Sequence, residues 1–261
     1  MLKGIIINDK EYKWEDYLKL DEKLTYPLSI KKLICQYQNN ERHSPYTPSN
    51  LGRCMRQNKW EFDKDYFIPE HVAYSAVRGT FVHKLLEESL SNEKESLKEL
   101  KVKYLIPELK YELKGQIDLI KNDTLYDYKS TSESNIKYIA KNGIKPEYIW
   151  QTNIYKWLVK KVLNINIKSL KIFYITMSNI YETGKPYRIP NKFGKEEVIL
   201  LPNIPIYSDQ KIENYILSKL NFLKEKTEPE PTIDKNKCQY CYFYKECFKD
   251  IEKVEIEKDL W

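Results

Sequence analysis

Lys110-Tyr-Glu-Leu-Lys-Gly115-Gln-Ile-Asp118-Leu-Ile-Lys-Asn122-Asp123-Thr-Leu-Tyr-Asp127-Tyr-Lys129-Ser130 is the stretch that decides the fold. Apolar and polar residues alternate over 110–120 and again over 124–130. The Asn122-Asp123 dipeptide between them is a tight-turn signal, so the stretch predicts two antiparallel strands. The same alternation over 102–106 adds a strand ahead of them, giving an antiparallel meander. Asp118 and Asp127 then lie on strands joined by one turn, and two carboxylates brought close repel unless a divalent cation lies between them. Lys129, two residues past Asp127, projects to the same side of its strand. A cation and a lysine side by side suit phosphodiester cleavage, which needs a deprotonated water, an oriented phosphate and neutralised charge at phosphorus.

Working outward, Phe81, Val82, Leu85, Leu86 and Leu90 recur at three- and four-residue intervals and predict an amphipathic helix from Gly79 to about residue 100, with His83 and Glu87 on one face. Pro146 opens a second helix running to about residue 163, with Ile149, Trp150, Ile154, Trp157, Leu158 and Val162 as core positions. Residues 169–177 are apolar and β-branched enough for a buried strand. Residues 178–207, with Gly184-Lys-Pro and Asn191-Lys-Phe-Gly, read as a loop or hairpin insertion, and 208–226 as a last amphipathic helix. This order of helix, strands, helix and strand predicts an α/β fold in which helices flank a mixed central sheet. Residues 1–45 read as an N-terminal extension with two short helical stretches, at 15–20 and 30–37. Residues 46–261 read as one catalytic domain that includes a cysteine cluster at 238–247.

The chain has 261 residues and a net charge of +6, with 22 tyrosines, 8 phenylalanines and 5 tryptophans. Lysines that track phosphates and rings that stack bases suit a polyanion, although a lysine-rich genome would leave the same mark. The N-terminal apolar run is too short for a signal peptide and no stretch is long enough to cross a bilayer. An intracellular, cytoplasmic protein without a membrane partner is therefore expected. In a reducing compartment, five cysteines point to metal or catalysis rather than disulfides. Cys238-Gln-Tyr-Cys241 followed by Cys247 makes C-x2-C-x5-C, and Cys54 stands far upstream as a fourth thiolate; zinc and iron–sulfur chemistry both remain open on spacing. Cys35 reads as a buried apolar residue. Arg53 and Arg56, beside Cys54, read either as phosphate contacts or as solvated arginines. His43 and His71 read as solvated loop residues.

The ordered set Gly79-Thr-Phe-Val-His83, Gly115-Gln-Ile-Asp118, Asp127-Tyr-Lys129 and Gln151-Thr-Asn-Ile-Tyr155 resembles the PD-(D/E)XK nuclease superfamily, specifically its RecB-like exonuclease branch, over roughly residues 45–250. The resemblance implies that Asp118 and Asp127 bind Mg²⁺ or Mn²⁺, helped by His83 and the backbone carbonyl of Tyr128. It implies that Lys129 positions the attacking water, and that Gln151 and Tyr155 help hold the DNA strand and the lysine. The one-plus-three cysteine layout is similar to the iron–sulfur staple of CRISPR-associated single-domain exonucleases and of phage RecB-like exonucleases. It implies a [4Fe–4S] cluster on Cys54, Cys238, Cys241 and Cys247, with zinc as the alternative. The implied activity is a metal-dependent DNA exonuclease acting on single strands or DNA ends, 5′ to 3′ favoured. The alternatives are a DNA-processing or DNA-binding subunit with a protein partner in recombination, repair or CRISPR adaptation, and a structure-specific endonuclease.

Overall fold

The structure, a computed structural model, describes residues 1–38, 46–89, 97–190, 193–232, 238 and 241–251. His43, Leu90, Asn191 and Lys192, on which sequence expectations fell, lie outside the described residues, as does the side chain of Glu87. In chain order the elements begin with β1 (Leu2–Ile7), β2 (Lys10–Lys13), α1 (Trp14–Lys19), α2 (Leu28–Gln38), α3 (Pro48–Leu51), α4 (Met55–Asp63), β3 (Tyr66–Pro69) and α5 (Glu70–Ser89). They continue with β4 (Leu97–Ile106), β5 (Tyr111–Lys121), β6 (Thr124–Ser130), α6 (Glu133–Asn142), α7 (Pro146–Leu163), β7 (Ser169–Ile175) and β8 (Ile180–Glu182). The last are β9 (Pro186–Pro190), β10 (Glu196–Leu200), α8 (Asp209–Glu225) and α9 (Tyr244–Ile251).

These elements form two compact units: Met1–Tyr46 with Arg53–Arg78 and the chain from Glu228 onward, and Thr47–Gly52 with Gly79–Thr227. The grouping of the N-terminus with two later segments is a division that the expected boundary at 45 and 46 did not draw. In the first unit β1 pairs antiparallel with β2 and parallel with β3. The β1–β2 hairpin turns on Asn8 and Asp9, both at positive φ, a region these two residue types tolerate better than most. Gly4 lets those strands close, because a Cβ there would lie 1.9 Å from the Tyr12 carbonyl oxygen. Aromatic packing ties in the C-terminal segment: Phe243 lies edge-on to Trp60 at 5.5 Å and tilted against Tyr66 at 5.6 Å. The Trp60 indole N–H donates to Glu228 at 2.7 Å.

The second unit holds a five-stranded sheet in the order β4-β5-β6-β7-β8. The meander β4-β5-β6 is antiparallel, β6 and β7 run parallel, and β8 returns antiparallel, so the sheet is mixed as expected. The parallel pair needs a crossover, which α6 and α7 supply. Asn122 and Asp123 both take positive φ in the β5–β6 turn. From Gln151 through Val159 every residue of α7 is buried, and against this helix stand buried Leu113, Ile117, Leu125 and Ile172 of the sheet. The polar residues of that buried stretch are answered within the unit. Asn153 donates to Pro205 O at 2.9 Å and accepts from Tyr207 N at 2.7 Å, and Lys156 reaches Asp209 at 3.1 Å.

Several boundaries differ from the sequence expectation. The helix expected from Gly79 to about 100 begins at Glu70 and ends at Ser89, and Leu97–Ile106 is strand. Its supposed core position Leu85 is 64% exposed, and Val162 of α7 is also exposed. His71 is exposed but sits on α5, not in a loop. The region 178–207 contributes β8 to the main sheet as well as the β9–β10 hairpin. Among the described residues, no helix is long and apolar enough to cross a membrane.

Candidate active site

The β5–β6 ladder stops at Leu119 opposite Tyr126. Continuing its register puts Asp118 opposite Asp127, and there the Tyr128 amide donates to the side chain of Asp118, Oδ2 at 2.6 Å. The β4–β5 ladder breaks at the same level. Lys98 pairs with Leu119 and Leu100 with Ile117, which leaves Glu99 opposite Asp118, with Glu99 at a φ of 43°. Glu99, Asp118 and Asp127 therefore stand on three adjacent strands at one level of the sheet, where regular pairing yields to side chains.

Helix α5 brings in His83, whose Nδ1 lies 3.2 Å from Asp118 Oδ1. That hydrogen bond is the main reason the His83 pKa is raised, against the opposing effect of burial. His83, Glu99 and Asp118 each offer a ligand atom, and those atoms all lie within 4.8 Å of one another. Gln116, two residues before Asp118 on β5, donates to the Glu99 carboxylate through Nε2.

Asp127 sits deeper, at 3% exposure. Its Oδ1 accepts from Gln151 Nε2 at 2.8 Å. Its Oδ2 has no aligned hydrogen-bond donor and faces the Lys129 ammonium 2.5 Å away. Burial raises the Asp127 pKa more than Lys129 lowers it. His83, Glu99 and Asp118, close together beside the buried Asp127, are a donor set that fits a divalent cation. For Lys129, burial is the largest influence and opposes the charged form. The attraction of Asp127 and Asp118 outweighs it, so the pKa is raised and the side chain remains an ammonium. The ring of Tyr148, on the first turn of α7, lies 5.2 Å from that ammonium, within cation–π reach.

Gln151 and Tyr155, four residues apart on α7, are both buried but do different things. Gln151 clamps Asp127, whereas Tyr155 packs over Gly115 and lies 3.3 Å from the Ser49 hydroxyl. A Cβ at residue 115 would lie 2.7 Å from Tyr155 Cε1, so the glycine is what lets α7 approach β5. The Tyr128 side chain stacks on Phe173 of β7 at 5.8 Å.

The four cysteines all belong to the first unit. Cys54 accepts from Thr232 N at 3.3 Å and Cys238 donates to Thr232 O at 3.6 Å. Cys247 lies 4.0 Å from Arg56 Nη1. Burial, then the repulsion of the Cys54, Cys238 and Cys247 thiolates, pushes the Cys241 thiol up to about 11. The thiols are neighbours, yet among the described residues they form no group of three ligand atoms as close as that of His83, Glu99 and Asp118. Arg53 and Arg56 are engaged inside this unit, with Glu61 at 2.8 Å and Pro229 O at 3.0 Å respectively. Cys35 is half-buried rather than fully buried.

Sequence reasoning missed Glu99, which fell where a helix was expected to end. The signal was present: a β4 extended back to Leu97 and paired through the turn with β5 puts Glu99 opposite Asp118.

A mixed sheet that opens around carboxylates, with a protonated lysine at its back, defines a metal-dependent nuclease. A profile of the PD-(D/E)XK nuclease superfamily matches residues 91–248, more than half of the chain, and the chain belongs to that superfamily. The match includes Asp118, Asp127, Lys129, Gln151 and Tyr155. No curated protein matches the sequence. Among solved structures, the crystal structure of SSO0001 is similar over 84% of this chain and 93% of that chain, at 19% identity and a TM-score of 0.52, which shows a shared fold. A protein from Eubacterium rectale designated an exonuclease aligns over 71% of this chain and 67% of that chain, at 10% identity and a TM-score of 0.32.

Proposed function

We propose that the chain is a metal-dependent DNA exonuclease of the RecB-like branch, acting on single strands or free DNA ends with the 5′ to 3′ direction favoured. The observation that carries this reading is the opening of the ladder at Asp118 and Asp127 with Lys129 behind it. Asp118 and Asp127 would hold Mg²⁺ or Mn²⁺, with His83 and the Tyr128 carbonyl completing the set. Such an ion lowers the pKa of a water and neutralises charge on a phosphate. Lys129 keeps its proton, so its part is to hold and orient a water or a phosphate oxygen rather than to accept a proton. Gln151 fixes Asp127 by one oxygen and leaves the other turned toward Lys129.

In this reading residues 46–261 carry the nuclease and 1–45 extend it. Cys54, Cys238, Cys241 and Cys247 hold a [4Fe–4S] cluster rather than zinc. A zinc tetrahedron with Zn–S of about 2.3 Å draws its sulfurs to about 3.8 Å from one another. A cubane takes one thiolate per iron and holds its sulfurs further apart, which suits thiols that are neighbours without being in close contact.

The test is digestion of end-labelled linear and closed circular single strands with Mg²⁺ or Mn²⁺. Linear strands should shorten from the 5′ end, circles should survive, and Asp118→Ala protein should leave both intact. Uncut linear DNA, or an Asp118→Ala variant as active as wild type, would sink the proposal. For the cluster, a brown protein absorbing at about 400 nm is expected. Colourless protein with stoichiometric zinc would overturn the iron assignment alone.

A further inference from the structure

We propose that Tyr174 is a positioning residue for Lys129, its buried hydroxyl sharing one bridging water with the Lys129 ammonium. The inference rests on the nuclease reading for its effect on cleavage, whereas the seating of Lys129 is testable without DNA. Tyr17, Tyr174 and Tyr181 are each no more than 2% exposed. The Tyr17 hydroxyl donates to Glu70 at 2.7 Å and the Tyr181 hydroxyl to Glu133 at 2.6 Å. Of these three, Tyr174 is the one whose hydroxyl has no hydrogen-bond partner among the described residues. A hydroxyl buried in that way costs free energy unless a water or a ligand answers it.

The sheet sets this hydroxyl beside Lys129. In the parallel β6–β7 ladder Lys129 stands opposite Tyr174 and Asp127 opposite Ile172, so these four side chains share one face. Burial is the main reason the Tyr174 pKa is raised, and Tyr148 and Asp127 add to it, which agrees with a hydroxyl turned toward the active centre. On the other flank Tyr181 of β8 stands opposite Tyr174, and its own hydroxyl is given to Glu133. The ring of Tyr148 lies 5.2 Å from the Lys129 ammonium and limits its swing. An ammonium has three donors and no acceptor. Asp127 takes one of them. A water that accepts a second and donates to the Tyr174 oxygen answers the hydroxyl, as buried waters do between polar groups. The third donor is then aimed at the reacting water or a phosphate oxygen. Without the bridge the ammonium keeps its charge but turns more freely about Asp127.

The experiment is nitrogen-15 NMR of the lysine ammonium groups in the full chain without DNA, with Lys129→Met to assign the signal and circular dichroism to confirm that each variant is folded. Wild type should show a Lys129 ammonium protected from exchange with solvent. Tyr174→Phe, which removes the oxygen alone, should speed that exchange by about tenfold or more, the factor one hydrogen bond is worth. Tyr181→Phe, which removes the hydroxyl held by Glu133, should leave the Lys129 signal unchanged. Cleavage of linear single strands with Mn²⁺ should fall by about tenfold in kcat for Tyr174→Phe, with KM unchanged. No protected Lys129 signal in wild type, unchanged exchange in Tyr174→Phe, or an equal change in Tyr181→Phe would overturn the inference and leave the nuclease reading standing. Faster exchange with kcat unchanged would overturn the part Tyr174 plays in cleavage. Wild type that cuts no DNA while its Lys129 signal still answers to Tyr174→Phe would instead overturn the nuclease reading.

Discussion

The carboxylate centre in the second unit and the thiol group in the first are built on opposite principles. In the sheet, the candidate ligand side chains are already held: Asp118 by the Tyr128 amide, Asp127 by Gln151 and Lys129, Glu99 by Gln116. They hang from three adjacent strands of the sheet, and Gln151 reaches Asp127 from the buried stretch of α7. The thiols have no comparable frame. Cys54 is the N-cap of α4 and Cys247 lies on α9, while Cys238 touches the backbone of Thr232. Burial and mutual repulsion work against ionising Cys241. The carboxylate centre is held by protein contacts alone, whereas the thiols rest on few of them. On the proposed function, loss of metal from the first should cost activity, and loss of a cluster from the second should cost stability.

The largest expected effect comes from Asp118→Asn. The amide oxygen can still accept from the Tyr128 N–H, so the sheet should persist, but the negative charge toward His83 is lost. Cleavage should fall by about 10²–10³-fold or more, the scale on which removing charge stabilisation acts. The melting temperature should move little. A melting point collapsing together with activity would show that the carboxylates also hold the sheet, and the contrast with the thiols would vanish.

The converse is expected of Cys241→Ser. If the thiols bind a metal that orders the chain around them, removing one should cost about 3 kcal/mol or more and lower the melting temperature by roughly 6–12 °C. Limited proteolysis should become faster within 53–78 and beyond 228, and chelation of the wild type should reproduce the effect. Unchanged stability and metal content in the serine variant would remove the cysteines from any structural role.

How much of this was legible in the sequence depends on where periodicity carried the signal. The strands at 110–120 and 124–130 were readable because alternation and the Asn122-Asp123 turn point the same way, and α7 because Pro146 marks its start. Helix α6 was not read, although Ser132 caps it and Ile136 and Ile139 have helical spacing, because it is short and flanked by serine and asparagine. The start of α5 was placed late because Gly79 looks like a boundary, whereas the helix runs through it from Glu70. Glu99 was hidden for a different reason. A site that forms where a ladder breaks leaves no periodic trace at the break, so Asp118, Asp127 and Lys129 could be found by motif and their cross-strand neighbour only by register.

A smaller effect tests the close approach of α7 to β5. Gly115→Ala puts a methyl 2.7 Å from Tyr155 Cε1 and 3.1 Å from Pro48 Cγ, so the ring must shift. Overpacking of this kind costs about 1–3 kcal/mol. Because Gln151 rides on the same helix as Tyr155, activity should fall with stability, by less than in Asp118→Asn. A variant as stable as wild type would mean that the helix can retreat from β5 without strain.

The smallest expected effect asks whether the preorganised centre is insulated from its surroundings. Ser132 caps α6 two residues after the catalytic strand ends, accepting from Asn135 N at 3.3 Å. Ser132→Ala should cost about 1 kcal/mol, the usual value of a side-chain cap, and lower the melting temperature by roughly 2–4 °C. Activity at 25 °C should be unchanged, because β6 is held by the β5 ladder on one side and by seven in-register pairs with β7 from Thr124 to Ser130 on the other. If the alanine variant lost cleavage out of proportion to stability, Lys129 would owe its position to the cap as well as to the sheet. The catalytic strand would then share the thiols' dependence on weak local contacts, and the two centres would differ less than their frames suggest.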